Sequence, residues 1–381
     1  MHIGFLTPEY PHSRVLASAG IGTSISSMAV ALAARGVTIS IFVYGQKEDH
    51  VLFADGIKIH LIRQRRFRFA GWVLYRKFLQ KYLNKSIVLD KIDAIEAPDW
   101  TGITAFMKLR CPLIIRMNGS DAYFCHLESR RQKLKNYWFE KTALRGADHL
   151  LSVSQFTADK TRQIFDLKSE ITVIPNSVNV KQFLPTGDEV KEKTILYFGS
   201  FIRKKGVIEL AYIFNNIIKE EPDVSLTLVG KDVIDFLEKR STLEIFWEVL
   251  SEAAHKRFEH IPEVPYDKIS SIITSHAVVV FPSFAEAFPM TWLEAMAMEK
   301  ALVTSNIGWA GEIMADGKTG FMVDPKDHPK FADKILKLLN GPKLRLDMGK
   351  SSRQRICEHF SAEVIAKKNI EYYKNVTGRE I

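Results

Sequence analysis

The stretch Phe281-Pro282-Ser283-Phe284-Ala285-Glu286-Ala287-Phe288-Pro289-Met290-Thr291-Trp292-Leu293-Glu294-Ala295-Met296-Ala297 starts at the end of an apolar, β-rich run, Ala277–Phe281, and finishes in a helical pattern. A strand that passes through a short loop into a helix is half of a βα unit. The same grammar repeats on both sides. Thr194–Phe198 and Ser225–Val229 read as strands upstream, and Ala301–Thr304 and Phe321–Val323 downstream. The first half supplies an earlier series: His2–Leu6, Thr38–Tyr44, Ile57–Ile62, Ile92–Glu96, Leu113–Arg116, His149–Val153 and Ile171–Ile174. Between its first two strands, Ile25, Met28, Ala29, Leu32 and Ala33 recur at helical spacing and stop before Gly36. Apolar strands alternating with amphipathic helices predict parallel sheets covered on both faces.

The strand series begins twice. Ile174-Pro175-Asn176-Ser177-Val178-Asn179-Val180-Lys181-Gln182-Phe183-Leu184-Pro185, continuing to Glu189, carries two prolines and little periodicity, so the boundary is expected near residues 176–191. A chain of 381 residues also exceeds the ~100–200 of one ordinary domain. The expected organisation is α/β: two tandem Rossmann-like doubly wound domains facing a cleft. The first covers residues 1–180, the second 191–360, and a helix over 361–381, starting at Ser361, packs back on the first.

Composition narrows the function. Hydrophobic residues at 46% and charged residues at 25% describe a folded globular chain. No apolar run reaches the ~18–20 residues that span a bilayer, and MHIGFLTPEY lacks the parts of a signal peptide. The three cysteines, Cys111, Cys125 and Cys357, form neither a disulfide framework nor a metal-ligand spacing, which suits a reducing cytoplasm. The net charge of +9 falls entirely within residues 1–190. Residues 56–89 hold nine Lys/Arg and no acid, with Phe67, Phe69, Trp72, Tyr75, Phe78 and Tyr82 interleaved. Such a segment, with Arg63, Arg65, Arg66 and Arg68 at its head, suits an anionic membrane surface or phosphate groups, or is a solvated helix face with its aromatics in the core.

In doubly wound sheets, ligands bind beyond the carboxyl ends of strands, so loops after strands are where chemistry is expected. Four stand out. Gly20 and Gly22 precede the first helix; the Gly-x-Gly-x-x-Gly dinucleotide fingerprint fails because Ile25 holds the third position. Gly199-Ser200-Phe201-Ile202-Arg203-Lys204-Lys205-Gly206 sets three cations at the start of a helix, where they repel one another and oppose its dipole, so a phosphate is the expected complement. In the opening stretch, Pro289 suits a first helical turn, leaving Glu286 in the loop and Glu294 on the second turn. The N–H groups near Phe288, Met290 and Thr291 are then open to a diphosphate, with carboxylates for polyol hydroxyls on either side. Such a site fits a nucleotide-sugar. Finally, Arg116-Met117-Asn118-Gly119-Ser120-Asp121 offers short polar side chains to a sugar, or simply makes a turn.

These motifs, with Gly308-Trp309-Ala310-Gly311-Glu312 and Gly317-Lys318-Thr319-Gly320, resemble glycosyltransferase family 4, retaining nucleotide-sugar enzymes of the GT-B fold, over nearly the whole chain. The resemblance implies Glu286 on the donor sugar, Glu294 on the ribose, Lys205 on the leaving phosphate, Gly20 and Gly22 closing over it, and no metal or other cofactor. Three positions depart from the family's habit. Ser200 stands where an arginine is frequent, leaving Arg203 or Lys204 to supply the charge; Asn118 stands for a common histidine that contacts the sugar, and Ala19 for a second glycine. The expected activity is retaining, metal-independent hexosyl transfer to a glycan or lipid-linked acceptor in surface polysaccharide or lipopolysaccharide assembly. It is placed in the cytoplasm, peripherally at the inner face of the membrane, and no nucleic acid partner is expected. The alternatives are a GT-B sugar-nucleotide epimerase or a non-catalytic basic module for membrane or nucleic acid.

Overall fold

The computed structural model describes residues 1–187 and 189–381; Asp188, within the expected boundary stretch, lies outside the described residues. The chain divides into two compact units, Met1–Ser177 with Ala362–Ile381, and Val178–Ser361. The change of unit, between Ser177 and Val178, falls within the expected stretch 176–191, and the second unit takes in that stretch from Val178 rather than starting at 191. The Val178 N–H donates to Phe360 O at 3.0 Å, and Phe183 is buried with its carbonyl accepting from Arg353 at 2.9 Å.

The first unit is built on β1 His2–Thr7, β2 Thr38–Gln46, β3 His50–Ala54, β4 Ile57–Arg63, β5 Ala94–Pro98, β6 Leu113–Met117, β7 His149–Ser152 and β8 Ile171–Val173. Their order in the sheet is β3-β4-β2-β1-β5-β6-β7-β8. Every pairing is parallel except β3 with β4. The order reverses at β1, so the chain winds outward in both directions from it. The sheet separates two apolar cores. One holds Met28, Ala29 and Leu32 of the helix Gly20–Ala33 together with Ile365, Ala366 and Tyr373 of the last helix, Ala362–Thr377.

The second unit is a six-stranded, wholly parallel sheet in the order β11-β10-β9-β12-β13-β14. Its strands are β9 Lys191–Phe198, β10 Ser225–Val229, β11 Phe258–Ile261, β12 His276–Phe281, β13 Leu302–Ser305 and β14 Gly320–Val323. Here the reversal falls at β9, and β9 and β12 are neighbours. Helices Val207–Glu220 and Met290–Ala297 follow those two strands, so both begin at the same, carboxyl edge of the sheet.

Strand bounds differ from the sequence reading by up to three residues, as where β9 starts at Lys191 rather than Thr194, and two strands are additional. Ile92 does not start β5, because its N–H closes the preceding helix on Ile87 O after Lys91 takes a left-handed conformation (φ 53°). The strand starts two residues later. The edge strands β3 and β11 were not expected: the apolar run of β3, Val51–Ala54, is only four residues long and its Val51 and Phe53 are exposed, and in β11 Glu259 and His260 separate Phe258 from Ile261.

Candidate active site

In the second unit the turn Arg203–Lys205 and the loop after β12 are stitched together by backbone. Phe284 and Ala285 donate their N–H groups to Lys204 O at 2.8 and 3.2 Å. Gly206 makes this possible. It has φ 69°, and a Cβ there would lie 1.8 Å from Pro282 O, which no side chain permits. The stitching brings Lys205 Nζ to 3.5 Å from Glu286 Oε1, with side-chain exposures of 21% and 12%: covered from bulk water, yet reachable.

The helix Met290–Ala297 starts one residue later than expected, with Pro289 as its N-cap residue in extended conformation (φ −70°, ψ 124°). Met290 and Thr291 therefore carry its first N–H groups, the donors that a helix leaves without intrahelical partners. Phe288 is buried against Phe360, ring centroids 5.5 Å apart. Glu294 is also buried, and its Oε1 accepts a 2.7 Å hydrogen bond from the Tyr266 hydroxyl. Tyr266 packs edge-on to Phe183.

Burial pushes the Glu294 carboxyl up to about 7, against the opposing effects of the Tyr266 hydrogen bond and the Lys205 charge. A carboxyl raised above its ordinary value of 4.5 takes a proton more readily in the folded chain than in the unfolded one. Its contribution to stability is therefore full below pH 4.5 and is lost as pH rises to about 7. Measured melting temperatures of the wild type should fall relative to those of Glu294→Gln across that window, by the equivalent of at most ~3 kcal/mol. Parallel curves for the two proteins would remove this account of Glu294.

The three cations at the start of the helix Val207–Glu220 are dispersed by partners the sequence did not reveal. Arg203 is not held open for a phosphate. Its Nε lies 2.8 Å from Asp235 Oδ2, and its Nη2 3.0 Å from Glu238 Oε1. Asp235 is buried and also accepts from the N–H groups of Leu237 and Glu238, so the guanidinium closes a local turn. Nothing in the spacing signals a partner 32 residues away. Gly199 (φ 141°) sits beside Lys205, whose Nζ would be 3.3 Å from a Cβ at that position.

In the first unit, the glycines ahead of the first helix are arranged differently from the reading of their sequence. Gly22 N–H donates to the Glu9 carboxylate at 2.8 Å, and the missing Cβ lets the helix close on the backbone of Glu9 and Tyr10 rather than on a ligand. Desolvation raises Glu9, opposed by the N–H groups of Gly22 and Ile21. Gly20 has open space where a Cβ would go, so no close approach explains it in this structure. Asn118 follows β6, and its N–H donates to Asp99 Oδ1 at 3.0 Å. Burial pushes the Asp99 carboxyl up to about 8. Asp99 was missed because Trp100 and Pro98 around it give no motif, and its role emerges only where β5 and β6 end side by side.

The basic segment is partly structural. Lys58 pairs with Asp90 at 2.7 Å and Arg65 with Asp49 at 2.5 Å, so acids outside residues 56–89 answer two of the cations. Arg76 is buried, its guanidinium donating to the carbonyls of Trp72, Thr101 and Gly102. Arg63, Arg66 and Arg68 are exposed and form no ion pair among the described residues. Also among the described residues, no group of three His, Cys, Asp or Glu is placed to hold a metal ion, and no helix is long and apolar enough to cross a membrane.

The sequence model of the family described as Glycosyltransferase Family 4 matches residues 18–182, and that of Glycosyl transferases group 1 matches residues 181–355. An uncharacterized glycosyltransferase of Methanocaldococcus jannaschii is 26% identical over 84% of this chain and 85% of its own. The capsular polysaccharide biosynthesis glycosyltransferase CapM of Staphylococcus aureus is 27% identical over 60% of this chain and 62% of its own. Among solved structures, HepE of Anabaena in complex with UDP superposes with a TM-score of 0.73 at 15% identity, over 98% of this chain and all of that one. Two family matches that succeed one another along the chain, over two parallel-sheet units of the same architecture, make this protein a member of the group 1 and family 4 glycosyltransferases of the GT-B fold.

Proposed function

We propose that the protein moves a sugar, with retention of anomeric configuration and without a metal, from a nucleoside diphosphate to a lipid-linked glycan at the cytoplasmic face of a membrane, in surface polysaccharide assembly. The observation that carries the reading is Lys205 Nζ at 3.5 Å from Glu286, which stands in the loop before the helix Met290–Ala297, with Glu294 on the second turn of that helix. Transfer breaks the bond between the sugar's anomeric carbon and the phosphate oxygen and forms one to the oxygen of an acceptor hydroxyl, whose proton leaves with the departing diphosphate. Negative charge grows on the departing diphosphate, where Lys205 and the N–H groups of Met290 and Thr291 are assigned to stabilise it. Glu286 accepts from hydroxyls of the sugar and Glu294 from the ribose. Arg203 has no part in this, since Asp235 and Glu238 occupy it.

On the acceptor side the assignment is Asn118, with its main chain held by Asp99. The likeness of fold to HepE, solved with UDP, supports a nucleoside-diphosphate donor, and the likeness to CapM supports polysaccharide assembly. A thermal-shift series with UDP, GDP and ADP tests the donor. A ligand at 100 times its dissociation constant stabilises by about 2.7 kcal/mol, so one base should raise the melting temperature clearly and Lys205→Ala should abolish most of the rise. No shift with any of the three, or a full shift in Lys205→Ala, would overturn the donor site. Product analysis with and without an acceptor separates transfer from epimerisation.

A further inference from the structure

A second acid-free stretch lies beside the basic segment in space. Residues 129–139 carry Arg130, Arg131, Lys133 and Lys135 with Leu134 and Trp138, and no Asp or Glu. They open the helix Leu134–Arg145, while the loop 64–70 leads into the helix Gly71–Asp90. Trp72 joins the two: its ring lies 6.4 Å from that of Trp138 and 4.9 Å from Phe139, with Lys135 Nζ 5.5 Å above it. Around this seam large apolar side chains face water, Leu134 at 86% exposure and Phe69 at 75%, with Trp138, Leu74 and Phe67 also exposed. Arg66, Arg68, Lys133 and Lys135 are exposed beside them and pair with no carboxylate among the described residues.

The position of this surface follows from topology. The helix Gly71–Asp90 comes after β4 and so begins at the carboxyl edge of the first unit's sheet. Arg76 ties its first turns to the carbonyls of Thr101 and Gly102, just beyond the carboxyl end of β5. Glu140, on the helix Leu134–Arg145, accepts from the N–H groups of Thr101 and Asp121 at 3.2 and 2.9 Å, which fixes that helix to the same edge. Asn118, the residue after β6, lies on this edge too. Exposed apolar side chains ringed by uncompensated cations are poorly served by water. They are well served by a bilayer whose anionic headgroups meet the cations and whose acyl boundary takes the apolar tips.

We propose that the surface formed by Phe67, Phe69, Trp72, Leu134 and Trp138, with Arg66, Arg68, Lys133 and Lys135, docks the first unit on an anionic lipid bilayer. This rests on the reading of a lipid-linked acceptor and adds to it where the protein meets the lipid: the carboxyl edge that carries Asn118. Phosphate recognition by nucleic acid is the weaker fit, because Leu134 and Leu74 offer nothing to a base or a backbone and gain from leaving water.

Vesicle flotation of the full chain tests it, using mixed phosphatidylglycerol and phosphatidylcholine vesicles against phosphatidylcholine alone. Recovery should be strong on the anionic vesicles, weak on the neutral ones, and reduced by salt. Arg66→Ser with Arg68→Ser should lower partitioning about 30-fold, from ~1 kcal/mol per cation. Phe69→Ser with Leu134→Ser, both at exposed positions, should lower it as well without changing the melting temperature. Equal recovery on both vesicles, or no loss in the Phe69/Leu134 variant, overturns the surface. So does DNA retention that the arginine variant abolishes and the Phe69/Leu134 variant leaves intact. The nucleoside-diphosphate thermal shift reads the second unit. Flotation without that shift therefore supports the surface and overturns only the transfer reading, and the shift without flotation overturns the surface alone.

Discussion

Lys205→Ala lowers kcat/KM for sugar transfer by about 10²–10³-fold, and Glu286→Ala does the same, while both proteins keep near-normal melting temperatures. The expected loss is in the chemical step because the charge on the departing diphosphate exists fully only as the glycosidic bond breaks. A fixed ammonium group beside it needs no reorganisation at that moment. Stability is spared because the two side chains meet at 3.5 Å in a partly open position rather than in a core. Steady-state rates with the donor identified by thermal shift decide the matter. Near-wild-type kcat/KM in both variants would dismiss this pair as the site of transfer. Arg203→Ala provides the contrast: it should cost stability through Asp235, left buried without its partner, and have little direct effect on the rate.

Arg116→Ala costs about 3–5 kcal/mol in denaturant unfolding of the full chain. Arg116 Nε lies 2.7 Å from Glu96 Oε1 with both side chains buried, and its other nitrogens donate to Ile174 O and to Asn369 Oδ1. Tyr373 donates its hydroxyl to Glu96 Oε2 at 2.7 Å. Truncating the arginine leaves the buried Glu96 carboxylate with only the Tyr373 hydroxyl and takes the partner from Asn369 of the last helix, so the loss exceeds that of the packing alone. Glu96→Leu with Arg116→Leu should recover much of it, since no charge is then left without a partner. A loss under ~1 kcal/mol in Arg116→Ala would show that the network does not hold the helix Ala362–Thr377 on the first unit.

How much of this was legible in the chain itself varies residue by residue. Glu286 and Glu294 could be placed because their positions depend on one loop and one helix turn, and Lys205 because the glycine after it marks a strand-loop-helix junction. The pairing of Arg203 was invisible, as was the occupation of Gly22 by Glu9, since each depends on a side chain reaching across a fold to a residue with no local pattern. The acid-free run 56–89 was legible as charge and misleading as surface: Asp49 and Asp90 lie on its flanks in space, and Arg76 turns inward.

The order of residues by itself determined the alternation of strands and helices in two series, because parallel strands covered on both faces have to be continuous apolar runs and their helices have to carry an apolar stripe. It determined which loops stand at strand ends, and with them the acidic pair of the second unit. Only the tertiary structure decided what those loops meet: Tyr266 on Glu294, Asp235 on Arg203, Leu134 and Trp138 beside Trp72, and a helix 253 residues downstream closing over Arg116. The reason is that short-range spacing sets the direction in which a side chain leaves its own element, whereas its partner is chosen by the order of strands in the sheet, which brings together residues far apart in the chain.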